Sequence, residues 1–332
     1  MATLDLGTAN GLMRTIFLPK IIDTVTKSNP LFLMMRARSE TFAGGETFSQ
    51  PIMFGEKVEG EGGSFGEDDT AFHSEPGEDA AAPNWNWVAY SQPIIVRMIE
   101  LAKFANTDAA AVNLLQIRSQ SAAMKMADRF GGHLYAQVGH NPKDILSVPD
   151  AFDDTIIYGG IDRAGAGNDF WKAQHVYAGT AGTATAITLR KVHDAIEAAT
   201  QGTIRPDIGI TSHAMFNRLW DLQMAKVRYA DTDRLEYGGF TGIRIDGVPI
   251  FWDSHADDGG LDGSSHTLER IRFFNMDYLH WTTHQDHNFT LRDLEHLDAN
   301  SPVMLGHIFW FGQFYCDNPR YQSELLDCLS TA

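Results

Sequence analysis

The segment 55–83 constrains the fold of this 332-residue chain more than any other part of the sequence. It is rich in glycine and acidic residues, whereas the flanking segments 46–54 and 84–96 have the residue pattern of β-strands. A loop of this length inside a compact domain is uncommon and is usually functional or disordered. Two strands that lead into one long polar excursion predict an arm that reaches another molecule.

Composition narrows the class of protein. With 43% hydrophobic and 21% charged residues, the chain can bury a large core, which argues against global disorder. The net charge of −17 argues against nonspecific binding to DNA phosphates. It does not argue against a protein that surrounds nucleic acid. Cys316 and Cys328 have neither metal-type nor disulfide-scaffold spacing, and residues 1–20 contain no signal peptide or membrane span. The sequence therefore predicts a protein made in a cytoplasm.

The strongest helix prediction covers residues 107–139. Apolar residues recur there at steps of three, four or seven residues and form one stripe: Val112, Leu115, Ala122, Met126, Phe130, Leu134 and Val138. Gly131-Gly132 marks a point where the helix could break or bend. Unbroken, the helix would be about 50 Å long at 1.5 Å per residue, which suits an elongated molecule.

Shorter elements flank this helix. Apolar residues at helical spacing over 16–35 predict a helix that is stopped around Pro30. Further along, the pattern predicts a helix over 188–201 with Thr188 as its cap, a buried strand over 206–212 and a second helix over 213–225. The run 304–316 has β-type composition.

Three histidines, His280, His284 and His287, raise the question of a metal site. Imidazoles at i and i+4 converge on a helix, but the neighbouring residues favour a strand, and no Glu stands beside His280 as in helical zinc proteases. We interpret them as surface or interface histidines. The acidic loop lacks the alternating acidic ligands of a calcium-binding loop. Gly159-Gly160 lacks the glycine spacing of a phosphate-binding loop. Ser212 is not part of the G-x-S-x-G motif that surrounds a nucleophilic serine. No catalytic residue, metal or cofactor is predicted.

Trp85 and Trp87 stand two residues apart and would share one face of a strand. On an exposed arm, two aromatic rings on one face favour burial against a neighbour. An ordinary core strand explains the pair equally well, and the sequence leaves both interpretations open.

The order of these motifs resembles the major capsid proteins of tailed double-stranded-DNA phages, which have the Hong Kong 97 fold. The resemblance covers nearly the whole chain. Its motifs are SNPL at 28–31, YGGIDR at 158–163, FW at 170–171, PDIGITS at 206–212, YGGF at 237–240, GVPI at 247–250 and FNMDYL at 274–279. Each motif alone is weak, and their order carries the similarity.

The resemblance implies an α+β fold with an N-terminal arm, an extended E-loop, a long spine helix, a peripheral domain and an axial domain. The implied divisions are an arm and helix at 1–44, the E-loop at 45–92, the peripheral domain at 93–186 with the spine helix at 107–139, the axial domain at 187–308, and a C-terminal strand and tail at 309–332 that return to the peripheral domain.

The implied function is assembly without catalytic turnover, in the capsid of a virion built in the host cytoplasm. Copies would form pentamers and hexamers of an icosahedral shell around double-stranded DNA, with no sequence-specific DNA binding and no membrane. A portal is expected as a partner. Because the chain starts almost at the fold, the resemblance also implies either a separate scaffolding protein or a chain that was trimmed. E-loop residues expected to contact a neighbouring copy are Lys57, Phe65, Phe72, Trp85 and Trp87. Covalent crosslinking through Lys57 is not expected, since no matching environment is visible.

Two alternatives stay open on the sequence alone. One is another virion structural protein, such as a tail-tube or decoration protein. The other is a metal-dependent hydrolase that uses the histidines between residues 280 and 287.

Overall fold

A computed structural model describes 11, 29–45, 47–49, 51–53, 80–97, 99–100, 108–136, 138, 141–224, 234–237, 240–256, 269–296 and 303–329. The predicted helix segment before residue 29 therefore lies outside the described residues. Within these ranges the chain forms two large β-sheets, three two-stranded strand pairs, five α-helices with described bounds and three short 3-10 helices. The 3-10 helices are at Asp169–Trp171, Met276–Tyr278 and Pro319–Tyr321. No helix of the described part is both long and apolar enough to cross a membrane.

Helix α1 begins at Pro30 and ends at Ala37. Proline is favoured at the first helical position, where its missing N–H would have no partner within the helix. Asn29, just before Pro30, is extended, as the predicted stop requires of the residue before a proline. The helix predicted to end there lies outside the described residues.

Helix α2, Asp108–Leu134, is the predicted long helix. Its 27 residues span about 40 Å rather than about 50 Å, since it ends five residues before the predicted limit. The apolar stripe is confirmed from Leu115 to Leu134, whereas Val112 is only half-buried and Val138 lies beyond the helix end. Gly131 does not break the helix. A Cβ atom there would lie 2.5 Å from Nδ2 of Asn29 and 2.7 Å from Nδ1 of His255, so the glycine permits close packing.

The first sheet is built around the 14-residue strand β18. Strand β6 pairs with one side of β18, while β17 and β16 follow one another along the other side, and β1 pairs with β16. The strands are β1 (Glu40–Phe42), β6 (Val88–Arg97), β16 (Leu279–His284), β17 (Thr290–His296) and β18 (Val303–Cys316). Helix α2 packs on β6, and helix α1 packs on β16.

The second sheet has eight strands in the order β10, β19, β15, β11, β14, β13, β12, with β9 also on the edge of β19. The strands are β9 (Gln174–Tyr177), β10 (Thr185–Ala186), β11 (Ile208–Thr211), β12 (Arg234–Tyr237), β13 (Phe240–Ile245), β14 (Val248–Trp252), β15 (Glu269–Phe274) and β19 (Ser323–Leu329). Helices α4 (Leu189–Ala198) and α5 (His213–Met224) pack against it. The side chain of Thr188 accepts a hydrogen bond from the Lys191 N–H, as its predicted role as cap requires.

Two hydrophobic clusters meet across the second sheet. One cluster lies between the first sheet and α2 and includes Ile208 and Ile210 of β11; the other lies under α4 and α5 and includes Ile250 and Phe273. Outside the clusters, His255 after β14 contacts Asp128 of α2 at 3.0 Å, which further ties the second sheet to the long helix.

The predicted division of the chain needs correction at its C-terminal end. Residues 279–308, assigned to the axial domain, contribute strands to the first sheet together with β6. Strand β19, predicted to return to the peripheral domain, instead pairs with β15 in the second sheet. The chain therefore crosses between the two sheets once more than the linear division implied.

Candidate inter-subunit contact site

The segment that the sequence predicts to be an arm begins as one two-stranded ribbon. Strands β2 (Thr47–Ser49) and β5 (Asn84–Asn86) pair antiparallel, and β3 (Ile52–Met53) and β4 (Ala80–Ala81) continue in the same register. The numbers of two paired residues add to the same value in both strand pairs, so the described part of the ribbon contains no bulge or register shift. We call residues 47–53 and 80–86 the arm ribbon.

The arm ribbon is poorly covered by the rest of the subunit. The side chains of Thr47, Ser49, Asn84 and Asn86 are exposed. A two-stranded ribbon is marginally stable by itself, and its edges carry free backbone groups that can pair with another chain. Its continuation, which contains Lys57, Phe65 and Phe72, lies outside the described residues, so the predicted contacts of those three stay predictions.

Trp85 anchors the ribbon to the subunit. Its side chain is 2% exposed, and its ring lies 4.8 Å from the Tyr158 ring, edge to face, and 5.0 Å from the Tyr315 ring, stacked. These contacts already bury the ring within its own subunit, and the predicted contact of Trp85 with a neighbouring subunit stays a prediction. The core-strand alternative describes Trp85.

Trp87 has a different environment. It falls between β5 and β6, where the alternation of buried and exposed residues is interrupted, so it does not share a strand face with Trp85. Its Nε1 donates a hydrogen bond to the carbonyl oxygen of Gly45 at 3.0 Å, and its half-buried ring meets His284 edge to face. Trp87 therefore fixes the corner at which the ribbon joins β6, and its predicted contact with a neighbour stays a prediction.

A small hairpin supports the Trp85 ring. Strands β7 (Ile157–Tyr158) and β8 (Ile161–Asp162) are joined by Gly159-Gly160, with φ of 60° and 83°. Two central residues at positive φ are typical of the tight hairpin turn that matches strand twist. The Asn84 N–H donates to the Gly159 carbonyl oxygen at 2.9 Å. A Cβ atom at Gly159 would lie 2.8 Å from the Trp85 ring, so the motif acts as a support for the arm.

Arg163, which ends the same motif, is completely buried. Its guanidinium donates to three backbone carbonyls, of Asp150 and Ala151 in helix α3 (Val148–Phe152) and of Asp153 just after it. Cations are favoured at this carbonyl-rich end of a helix. The guanidinium carbon also lies 4.3 Å from the centre of the Tyr158 ring. Burial lowers the pKa of Arg163 and raises the pKa of Tyr158 well above its usual range. The Arg163 guanidinium therefore holds the β7–β8 hairpin against helix α3.

Sequence reasoning did not identify this arm root, by which we mean Trp85, Tyr158, Gly159 and Tyr315. The signal was present, since a Gly-Gly pair between two short apolar runs is a hairpin pattern. The sequence could not show that the hairpin, Trp85 and the distant Tyr315 come together.

The histidines form no helical metal site. His280 and His284 lie in strand β16, as the neighbouring residues predicted, and the rings of His284 and His287 are 5.2 Å apart. Nε2 of His280 lies 3.0 Å from Oδ2 of Asp317, and its Nδ1 lies 3.4 Å from Oε1 of Glu40. Burial lowers the pKa of His280, but the hydrogen bond and charge of Asp317 outweigh this and raise it above the usual value. In the described part of the chain, no three His, Cys, Asp or Glu side chains converge on a possible metal position.

Ser212 has a structural role. It precedes helix α5, and its hydroxyl accepts a hydrogen bond from the Met215 N–H at 3.1 Å. A serine in this position is a helix cap, which agrees with the absence of a nucleophile motif.

Comparison with known proteins identifies the fold. No protein-family model matches the sequence, and no curated protein is significantly similar to it. Solved structures do match over nearly the full length. A chain of the cyanophage A-1(L) capsid asymmetric unit matches with a TM-score of 0.62 at 13% identity, over 90% of this chain and 91% of that one. The capsid of a native GTA particle matches with a TM-score of 0.59 at 12% identity, over 92% and 91%.

A third structure, the holo-SrpI encapsulin complex of Synechococcus elongatus PCC 7942, matches with a TM-score of 0.56 at 9% identity, over 90% of this chain and 89% of that one. The predicted α+β, Hong Kong 97-like fold is therefore confirmed. At these identities the similarity establishes the fold, and function has to be argued from the features of this chain.

Proposed function

We propose that this chain is a major capsid protein, which acts by assembling with copies of itself and not by catalytic turnover. The observation that carries the proposal is the match of nearly the whole chain to shell-forming proteins over a similar share of their own lengths. The uncovered arm ribbon supports it independently, because such a ribbon is stabilised when it lies on another chain.

The assembled state we propose is a closed icosahedral shell of pentamers and hexamers around double-stranded DNA, built in the host cytoplasm and present in the virion. The net charge of −17 suits a container for DNA, since a wall that bound phosphate strongly would hinder packaging and release. A portal and a separate scaffolding protein belong to this proposal as expected partners.

Electron microscopy of the full chain tests the proposal. The chain would be purified at high concentration, with and without a co-expressed scaffolding protein, and imaged. We expect shells, rings or tubes with five- and six-fold views. A compact monomer in both samples at all concentrations would contradict the proposal.

A second candidate function is suggested by the encapsulin match. In that case the shell would enclose a content other than DNA. The nucleic acid in nuclease-treated particles distinguishes the two, because a phage-type shell protects double-stranded DNA and the alternative yields particles free of it.

A further inference from the structure

A groove with a volume of about 360 Å³ lies between strand β6 and helix α2. Its polar lining consists of Gln92, Arg97 and Glu100 on the β6 side and Arg118, Ser121 and Lys125 on α2. Three of these side chains are cations and one is a carboxylate, so the lining carries a net positive charge. The chain as a whole has a net charge of −17. The groove therefore attracts small anions that most of the molecule repels.

The two elements that form the groove run in opposite directions. Near the start of β6, the ring of Tyr90 lies 4.9 Å from the ring of Phe130, which is in the C-terminal part of α2. Just after the end of β6, Glu100 forms an ion pair at 2.7 Å with Arg118, which is in the N-terminal half of α2. The end of β6 therefore lies beside the earlier turns of α2, and its start lies beside the later ones.

This arrangement gives the groove two ends, each with donor groups. Arg97 and Arg118 are at one end, and Gln92 and Lys125 lie toward the other. Arg118, Ser121 and Lys125 share one face of the helix, because residues three, four and seven apart point the same way. Seven residues at 1.5 Å each place the Cα atoms of Arg118 and Lys125 about 10 Å apart. A ligand that contacts both ends has to be elongated.

Several groove side chains lack a partner within the described part of the chain. The Gln92 side chain is 8% exposed, yet its amide forms no hydrogen bond there. The Nε atom of Arg118 is buried without a hydrogen-bond partner, and Arg97 and Lys125 have no acidic partner among the same residues. A buried polar group without a partner costs free energy, so such a group calls for an explanation. All four side chains carry N–H donors, which indicates a ligand rich in hydrogen-bond acceptors.

We propose that the groove binds a small molecule with a chain of linked phosphate groups, either a free oligophosphate or a nucleoside triphosphate. Phosphate oxygens carry negative charge and accept hydrogen bonds, and guanidinium groups bind them in a bidentate geometry. A chain of phosphates reaches both ends of the groove, whereas a single phosphate contacts one end only. The proposal goes beyond the assembly function and does not depend on it, because every residue it uses belongs to one copy of the chain.

The size and depth of the groove favour a small ligand over nucleic acid. A volume of about 360 Å³ is within the range of small-molecule sites. Double-stranded DNA is a wide rod with its phosphates on the outside, so it contacts exposed cations such as Arg97 and Lys125 without entering a groove of this size. The buried amide of Gln92 is out of reach of such a surface contact. Ile95, which lines the groove and is 45% exposed, offers an apolar surface to the base of a nucleotide.

Isothermal titration calorimetry of the purified full chain with phosphates of increasing length tests the proposal. The probes are orthophosphate, pyrophosphate, tripolyphosphate and adenosine triphosphate, in a buffer without divalent cations. We expect the Kd of tripolyphosphate to be at least tenfold lower than that of orthophosphate, because only the longer anion reaches both ends. Undetectable binding, or equal Kd values for these two anions, would overturn the proposal. Adenosine triphosphate identifies the source of the phosphates, since it binds more tightly than tripolyphosphate if the ligand is a nucleotide and more weakly if it is a free oligophosphate.

Substitution of the exposed groove cations locates the site. Lys125→Gln and Arg97→Gln should each raise the Kd of tripolyphosphate at least tenfold, since each removes a positive charge from one end of the groove. Both residues are exposed, so the unfolding midpoint without ligand should not change. Arg190→Gln on α4 is the matched control, because it removes the same charge from a side chain that is 83% exposed and should leave the Kd unchanged. An equal effect of all three substitutions, or no effect of any, would place the binding outside the groove and overturn the proposal.

A competition experiment distinguishes nucleic acid from the small ligand. Short double-stranded DNA would be titrated into the full chain saturated with tripolyphosphate. We expect no displacement. DNA that displaces tripolyphosphate from the wild type and loses affinity in Lys125→Gln would assign the groove to nucleic acid and overturn the proposal. None of these measurements requires shells, so a chain that formed no shells would refute the proposed function and leave this inference to the calorimetry.

Discussion

The arm root lies near the start of strand β6, and a groove between β6 and α2 lies toward its other end, lined by Arg97, Glu100, Arg118 and Lys125. The two regions differ in how far contacts within the subunit bury their side chains. At the root, Trp85 is enclosed by Tyr158 and Tyr315 of its own chain. Beside the groove, Ile117 and Met124 are exposed, and its residues Arg97 and Lys125 have no acidic partner among the described residues. Substitutions at the root should therefore change folding, whereas the proposed function predicts that changes along the arm alter assembly.

The largest effect on folding is expected from Trp85→Ala. Truncating a fully buried Trp costs about 3–5 kcal/mol of unfolding free energy. Trp87→Ala is the matched control and should cost about 1 kcal/mol, because that ring is only half-buried. Urea unfolding of assembly-free subunits measures both. An equal loss of unfolding free energy for the two variants would show that Trp85 does not anchor the ribbon more strongly than Trp87.

Gly159→Ala sharpens the comparison within the root itself. Alanine at positive φ costs about 1–3 kcal/mol, and its Cβ would also press on the Trp85 ring. Gly160→Ala shares the backbone strain, but no atom lies within 4 Å of its Cβ position. We expect a larger fall in the unfolding midpoint for Gly159→Ala. A smaller fall would show that the hairpin does not support Trp85.

A weaker, pH-dependent contribution is expected from His280, which stacks on Tyr315 beneath the root. Its pKa is raised in the folded chain by Asp317 and Glu40 despite burial. The resulting stabilisation is fully present below the unfolded pKa of about 6.5 and is lost as pH rises through the higher folded value. The difference in unfolding free energy between wild type and His280→Gln should shrink between pH 6 and pH 8. A difference that grows with pH would contradict this assignment.

Local pattern predicted those elements whose periodicity is set within one segment. The apolar stripe of α2, the Thr188 cap, the buried strand before Ser212 and the β-run of β18 all follow from neighbouring residues. The order of motifs was enough to predict the fold, although no motif alone identified it.

The features that sequence could not supply depend on contacts between distant segments. The burial of Trp85 requires Tyr315, which lies 230 positions away, and nothing near Trp85 indicates that partner. The pairing of β19 with β15 likewise depends on which sheet edge is free. The groove between β6 and α2 likewise depends on two elements that are brought together only in the fold.

The smallest effect on folding, and a large effect on assembly, is expected when residues 60–79 are deleted. This segment contains few apolar residues, so the unfolding free energy should change by less than about 0.5 kcal/mol. The measurement that tests the account most directly is sedimentation velocity of this deletion beside the wild type, with urea unfolding of the same samples. We predict an unchanged unfolding midpoint and the loss of the shell-sized boundary. A deletion variant that fails to fold, or one that still forms closed shells in normal yield, would contradict the division between a root that folds the subunit and an arm that joins it to the next.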